Sequence, residues 1–277
     1  MLALSACQSN VVQQKSVTLA GLPPIRFLLT FDDGPSLREP YNPTTEILNQ
    51  LAHNSVQSPV KAVFFVQTRN SNGGGSERGR AILRRTQSGG HVLAVHSGSP
   101  RGHKNHRNLP PAELDQSLND ASEDLRAISG QAPTLVRPPN WSYDARTQAA
   151  YRAHGLAMLL TDLTARDGKI YGWTISVRRR SHLRWELEEV RRSIEQARLP
   201  MVDGVVPVVV TFHDTNSYTA SHMQEYLEIL VEESKRAGLA LPELPFYDDA
   251  ATIDRVAQLR AETGVYAVGM DMFGFPR

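Results

Sequence analysis

The sequence predicts an α/β fold built on parallel strands with helical crossovers. Two observations predict it. Short, almost continuous apolar runs recur along the chain, each stopped by polar or turn-forming residues, and helical stretches lie between them. Such runs read as strands buried on both faces, and their alternation with helices implies a parallel sheet or barrel with right-handed crossovers. At 277 residues and 40% hydrophobic content, the chain can bury a sizeable core.

Residues 1 to about 22 are polar and largely aperiodic and read as a tether ahead of one folded domain, 23–277. The first strand, Ile25 to Phe31, stops at Asp32-Asp33-Gly34-Pro35. A helix over 44–51 and a strand over 61–66 (KAVFFV) follow. Gly73-Gly74-Gly75-Ser76 lacks the Gly-Lys-Ser/Thr of a phosphate loop and reads as a flexible lid or surface loop. Next come a strand over 91–95, a helix over 111–128, and Leu135-Val136 as a short strand before Arg137-Pro138-Pro139. The remainder reads as a helix over 144–154, a strand over 156–161, a helix over 183–197, a strand over 205–212 and a helix over 220–237. Leu183, Leu187, Val190 and Ile194 fall on one face of the 183–197 helix. A helical extension is expected from about 249, and Arg178-Arg179-Arg180 reads as a solvated face.

Composition narrows the function. Thirty Lys+Arg balance 29 Asp+Glu, a net charge of +1, so there is no cation excess to displace counterions from a nucleic acid. The single cysteine excludes an intramolecular disulfide and a multi-cysteine zinc site, which leaves histidines and carboxylates to hold any metal. No apolar run approaches the roughly 20 residues that span a bilayer. Leu4-Ser5-Ala6-Cys7 resembles the lipobox of bacterial lipoproteins. That resemblance implies an acylated Cys7 and a membrane-attached protein of the bacterial periplasm or cell envelope.

In parallel α/β folds, ligands bind at the carboxyl ends of strands. Asp32 and Asp33, His96, Arg137, Asp162, and His213 with Asp214 all follow apolar runs, so they are expected to converge on one mouth. Adjacent carboxylates need a cation or an arginine between them, or one binds a proton. His96, His103 and His106 lie in one loop with Gly98, Pro100 and Gly102. One Asp with two His leaves coordination positions open for water and a substrate oxygen, as a hydrolytic divalent-metal site requires. Arg137, aimed by Pro138-Pro139, can clamp a carboxylate, and His213 is placed for general acid work.

These residues resemble a family. Thr30-Phe31-Asp32-Asp33-Gly34-Pro35 matches the first motif of the NodB-type polysaccharide deacetylases, carbohydrate esterase family 4. Gly90-His91 leading to His96-Ser97 resembles the second motif, Arg137-Pro138-Pro139-Asn140-Trp141 the third, the 162–167 region the fourth and Thr211-Phe212-His213-Asp214 the fifth. The resemblance implies an incomplete (β/α) barrel and a hydrolase that removes acetyl groups from an N- or O-acetylated polysaccharide. The metal it implies is Zn²⁺, or another divalent ion such as Co²⁺, Ni²⁺ or Mn²⁺. By the same resemblance Asp32 is the base, Asp33 and His96 are metal ligands, Arg137 orients the base and His213 is the acid, with Asp162 or Asp167 beside that imidazole. Trp141, with Pro138 and Pro139, is expected to line the substrate pocket.

The third ligand departs from the family spacing. The position expected after His96-Ser97 and two intervening residues holds Pro100, which cannot bind metal. Counting back from Leu109, which resembles the family's entry to the next helix, favours His103 over His106 as the ligand, with His106 then behind it or touching substrate. The implied substrates are N-acetylated glycans: peptidoglycan, chitin-like oligomers or poly-N-acetylglucosamine. Two alternatives share the scaffold, a catalytically weakened carbohydrate-binding protein and an amidohydrolase of small acylated molecules.

Overall fold

The structure, a computed structural model, describes residues 21–167 and 179–267. Cys7 and its preceding residues lie outside the described residues, as does Arg178. The strands are β1 (Ile25–Asp32), β2 (Ala62–Gln67), β3 (Val92–Ser97), β4 (Leu135–Val136), β5 (Ala157–Met158), β6 (Leu163–Thr164) and β7 (Val206–His213). They form one parallel sheet in the order β5-β4-β3-β2-β1-β7-β6. The helices are α1 (Pro43–Ala52), α2 (Glu77–Ser88), α3 (Pro111–Ser129), α4 (Ala145–Ala153), α5 (Arg179–Glu195), α6 (Ser217–Ser221), α7 (Met223–Arg236) and α8 (Ala250–Thr263). Among the described residues no helix is long and apolar enough to cross a membrane.

Both faces of the sheet are buried, which is why its strands read as continuous apolar runs. Along β1, Ile25, Phe27, Leu29 and Phe31 face the outer helices, where Phe31 stacks on Phe64 of β2 and Phe212 of β7. Leu28 points the other way, into a second core with Val63, Phe65, Ala94, Leu135 and Val209. Helix α8, capped by the Asp249 side chain on Thr252 N, closes this inner face with Ile253, Val256 and Ala257. The sheet curls into an incomplete barrel: the Arg137 guanidinium beyond β4 reaches Thr30 and Asp32 on β1, across the width of β3 and β2.

Three expectations are corrected. The strand expected over 156–161 ends after two residues, because the Leu159 and Leu160 carbonyls turn to the Arg137 guanidinium instead of continuing the ladder. The chain then crosses to the far edge and forms β6 against β7. The segment over 73–76 is no flexible lid: Gly73 N and Gly75 N bond to Asn70 O, Gly74 N bonds to Gln67 O, and the Ser76 side chain caps α2 at Gly79 N. Helix α2 itself escaped the sequence reading because only Ile82 and Leu83 among its buried residues are large and apolar. Arg179 and Arg180 do not form a merely solvated face. They pair with Glu225, Glu232 and Glu233 of α7 and tie α5 to it.

Candidate active site

At the end of β1 the pleat sends Thr30 and Asp32 to the inner face, and the backbone then reverses direction. Asp33 adopts a left-handed conformation, φ 76°, which Asp tolerates better than most residues. Two neighbouring carboxylates thus face different partners. The next position has no room for a side chain: a Cβ at Gly34 would lie 2.1 Å from Asp214 Oδ2. Asp214 accepts from Thr44 Oγ1 at 2.8 Å and is buried. Burial pushes its carboxyl up to about 7; Thr44 offsets this in part, while Asp33 and Asp32 add to it. Gly34→Ala is therefore expected to destabilise the protein by about 1–3 kcal/mol, the usual scale of overpacking, read as a lower urea midpoint at unchanged slope. An unchanged midpoint would show that Asp214 can simply swing aside.

Asp33, His96 from the end of β3 and the loop residue His103 converge. Asp33 Oδ1 lies 3.2 Å from His96 Nε2 and 3.0 Å from His103 Nε2, and the two imidazole nitrogens are 3.2 Å apart. Burial alone would raise Asp33, but the adjacent His103 and His96 outweigh it and hold the carboxyl well below the ordinary carboxylate range. His96 Nδ1 is 2.8 Å from the Arg137 carbonyl, which can only accept, so Nδ1 donates there and Nε2 is the ring atom turned to the cluster. Asp33 Oδ1 is a buried acceptor with no N–H aligned on it. Lone pairs converging on an orphaned carboxylate oxygen are the donor chemistry of a divalent cation site, and the ligand atoms all lie within 4.8 Å of one another.

Asp32 is held separately. Arg137 is fully buried and donates to Asp32 Oδ1 at 2.8 Å, to Thr30 Oγ1 at 2.7 Å and to the Leu159 and Leu160 carbonyls. Its guanidinium also lies over the Phe65 ring, 4.2 Å from the centroid. On the other side of β1, His213 shares the last rung of the β1–β7 ladder with Asp32. Its Nδ1 donates to Asp167 Oδ1 at 2.8 Å, and its backbone N donates to Asp167 Oδ2 at 2.9 Å. Burial opposes protonation of His213, yet Asp167, with Asp33 and Asp32 further off, outweighs it and raises the imidazole to about 10. The Thr219 hydroxyl and Asn216 side chain fix the Asp167 end of this pair.

A family model described as polysaccharide deacetylase matches residues 21–159, half of the chain. The chain belongs to the polysaccharide deacetylase family. It is 30% identical over 151 residues to a chitin deacetylase from Pestalotiopsis sp, covering 52% of this chain and 46% of that protein. It spans about half the length of the curated relatives it matches. The fold resembles that of the chitin deacetylase from Colletotrichum lindemuthianum, with a TM-score of 0.57 at 22% identity over 82% of this chain and 88% of that one. It also resembles a family 4 carbohydrate esterase from Streptomyces lividans, with a TM-score of 0.54 at 21% identity over 78% and 90%. The incomplete barrel is thus the polysaccharide deacetylase fold.

Within this polysaccharide deacetylase fold, some expected site residues lie apart from the cluster. Asp162 does not join His213. It is sealed beneath the sheet, where it accepts two bonds from Arg260 and one each from Val209 N and Ala267 N. His106 has no exposed surface and bonds through Nδ1 to the Tyr151 hydroxyl at 2.8 Å. Burial, with His96 and His103 nearby, lowers its pKa to about 3, so it stays neutral and out of reach of a glycan. Pro138 and Pro139 are buried too, and shape the backbone between Arg137 and Asn140 rather than offering a surface. Trp141 is half-buried, its ring 5.2 Å from the Arg137 guanidinium carbon. The sequence reading passed over Asn140 and Asn105, which stand behind His103. Their signal was weak, since asparagine in a loop ordinarily reads as a turn residue.

Proposed function

We propose that the protein is a divalent-metal-dependent hydrolase that removes acetyl groups from an N-acetylated glycan. One observation carries this reading: Asp32 and His213 stand on the same rung of the β1–β7 ladder, and the Asp33–His96–His103 donor trio begins one residue from Asp32. The family's chitin deacetylases, and a peptidoglycan deacetylase from Bacillus subtilis among the structures of like fold, support the glycan class.

A divalent cation held by Asp33, His96 and His103 would supply Lewis acidity, making a water more acidic and polarising the acetyl carbonyl. Asp32 takes the proton of the attacking water. Arg137 engages Oδ1, which leaves Oδ2 as the accepting oxygen. His213, whose Nδ1 is committed to Asp167, delivers a proton from Nε2 to the departing amine. The two roles need opposite starting states, and the surroundings provide them: a guanidinium beside Asp32 and a carboxylate beside His213.

Acetate release from chitin oligomers, peptidoglycan and poly-N-acetylglucosamine, with and without chelator, tests the reading. Release from at least one glycan, lost with chelator and restored by Zn²⁺ or Co²⁺, is expected. Glycan binding without acetate under any added metal would favour the binding-only alternative. The pH profile adds a second test. Because Asp167 raises His213 toward about 10, the acid is charged through neutral pH in the parent. In Asp167→Asn the imidazole falls back toward its usual value near 6.5, so the alkaline limb of kcat should move down by more than one pH unit. The same pair contributes stability fully below about pH 6.5, and that contribution fades as pH rises toward 10. An unmoved alkaline limb in Asp167→Asn would remove His213 from the acid role.

A further inference from the structure

The sheet ends at β6, whose outer edge has no further strand among the described residues. Two side chains of α5 take the place of one. Thr164 N donates to Glu186 Oε2 at 2.5 Å, and His182 Nε2 lies 2.9 Å from the Thr164 carbonyl. That carbonyl can only accept, so His182 Nε2 is the donor. The Thr164 hydroxyl accepts from Arg166 N at 3.1 Å, and Ala165 N returns to the ladder by donating to Thr211 O. The chain then turns at Arg166, φ 51°, and brings Asp167 to His213. Glu186 is costly where it stands. It is fully buried on a helix face it shares with Leu183, Leu187, Val190 and Ile194. Its Oε1 has no aligned hydrogen bond, with His182 Nε2 3.1 Å and Arg166 Nε 3.9 Å away. A buried carboxylate so sparsely paired costs stability relative to an apolar residue, and sequences keep such departures where a site needs them.

We propose that Glu186, assisted by His182, is a positioning residue: it anchors Thr164 so that the turn at Arg166 holds Asp167 on the His213 imidazole. The proposal rests on the reading of His213 as the acid. The other holds on Asp167 are His213 N, the Thr219 hydroxyl and the Asn216 side chain, all from β7 and the chain beyond it. The Glu186 anchor ties the same segment to α5, on its other side. Asp167, Asp33 and Asp32 are the charges that favour the imidazolium, and of these only Asp167 follows the anchored turn.

The test uses the Zn²⁺-loaded full chain and reads the alkaline limb of kcat on chitin oligomers. Beside it, ¹H NMR reads the His213 Nδ1 proton shared with Asp167, a signal that needs no turnover. Glu186→Ala removes the anchor. The limb should move down by about one pH unit, a tenfold loss of charged imidazole above it, and the signal should broaden or vanish. Glu186→Gln removes the charge but keeps an oxygen for Thr164 N, so limb and signal should stay parental. Where Glu186→Ala fails to fold, Glu186→Leu with His182→Leu takes its place. Replacing both buried partners by apolar groups is close to neutral for stability, yet it still releases Thr164. Parental limb and signal in the folded anchor-free variant would reduce Glu186 to packing and overturn the proposal. So would a shift in Glu186→Gln as large as in Glu186→Ala, which would make the effect one of charge. Asp167→Asn separates the proposal from the reading beneath it: if that variant moves the limb and Glu186→Ala does not, only the proposal falls. If neither moves it, His213 is not the acid.

Discussion

Asp32→Asn is expected to lower turnover by about 10²-fold or more, the scale of losing general-base help, with Zn²⁺ content unchanged. The variant separates chemistry from architecture. Asparagine keeps an oxygen to accept from Arg137, so the buried guanidinium retains its four-way cradle of Thr30, residue 32 and two carbonyls. What it loses is the capacity to take a proton from water. Metal analysis beside acetate release reads the two effects independently, and parental turnover in Asp32→Asn would mean that another group is the base.

The largest expected effect on stability lies away from the cleft. Asp162 and Arg260 are both fully buried and joined by two hydrogen bonds of 2.9 and 2.8 Å. Asp162→Ala would strand the Arg260 charge and leave the amides of Val209 and Ala267 without their acceptor. Breaking a buried pair on one side costs about 3–5 kcal/mol, a large share of a domain's net stability. Chemical denaturation should show the loss directly, while the Asp33–His96–His103 geometry, built on other strand ends, should still bind metal in the fraction that stays folded. A loss below about 1 kcal/mol would mean that water enters and solvates Arg260, so that the pair is not sealed.

The contrast between Asp162 and Asp167 shows how far the sequence can be read. Asp162 closes an apolar run and Asp167 follows Arg166 five positions later, yet the strand-end signal does not say which of them meets the imidazole. The partner of one is Arg260, 98 positions away, and the partner of the other is His213, 46 positions away. Strand ends were legible because burial on both faces writes an apolar run and the cleft interrupts it with a charge. That is how Asp32, Asp33, His96, Arg137 and His213 could be read directly. The histidine loop was legible only in part. Gly102, with φ 74°, turns the chain so that His103 faces Asp33 while His106 drops behind it onto Tyr151. Spacing pointed to the first of these, but the burial of the second depends on a contact made in three dimensions. The early end of β5 was invisible for a similar reason: two of its expected ladder carbonyls are claimed by a guanidinium 22 and 23 residues earlier in the chain.

The β1–β7 ladder has a consequence for how the protein comes into being. Its paired residues are about 181 positions apart, as at Thr30 and Thr211, so the central ladder of the sheet closes one of the longest loops available to the chain. Loop closure of that span costs entropy before any contact repays it, and topologies rich in such contacts fold slowly. During synthesis at about 5–20 residues per second, the edge of β1 that awaits β7 stays unpaired for roughly ten seconds or more after it emerges. For that interval Asp32 has no neighbour on its final rung, and Ile25, Phe27 and Phe31 lack their packing against β7. Nascent chains stopped before Val206 should therefore be captured by holdase chaperones, whereas chains that have released His213 should not.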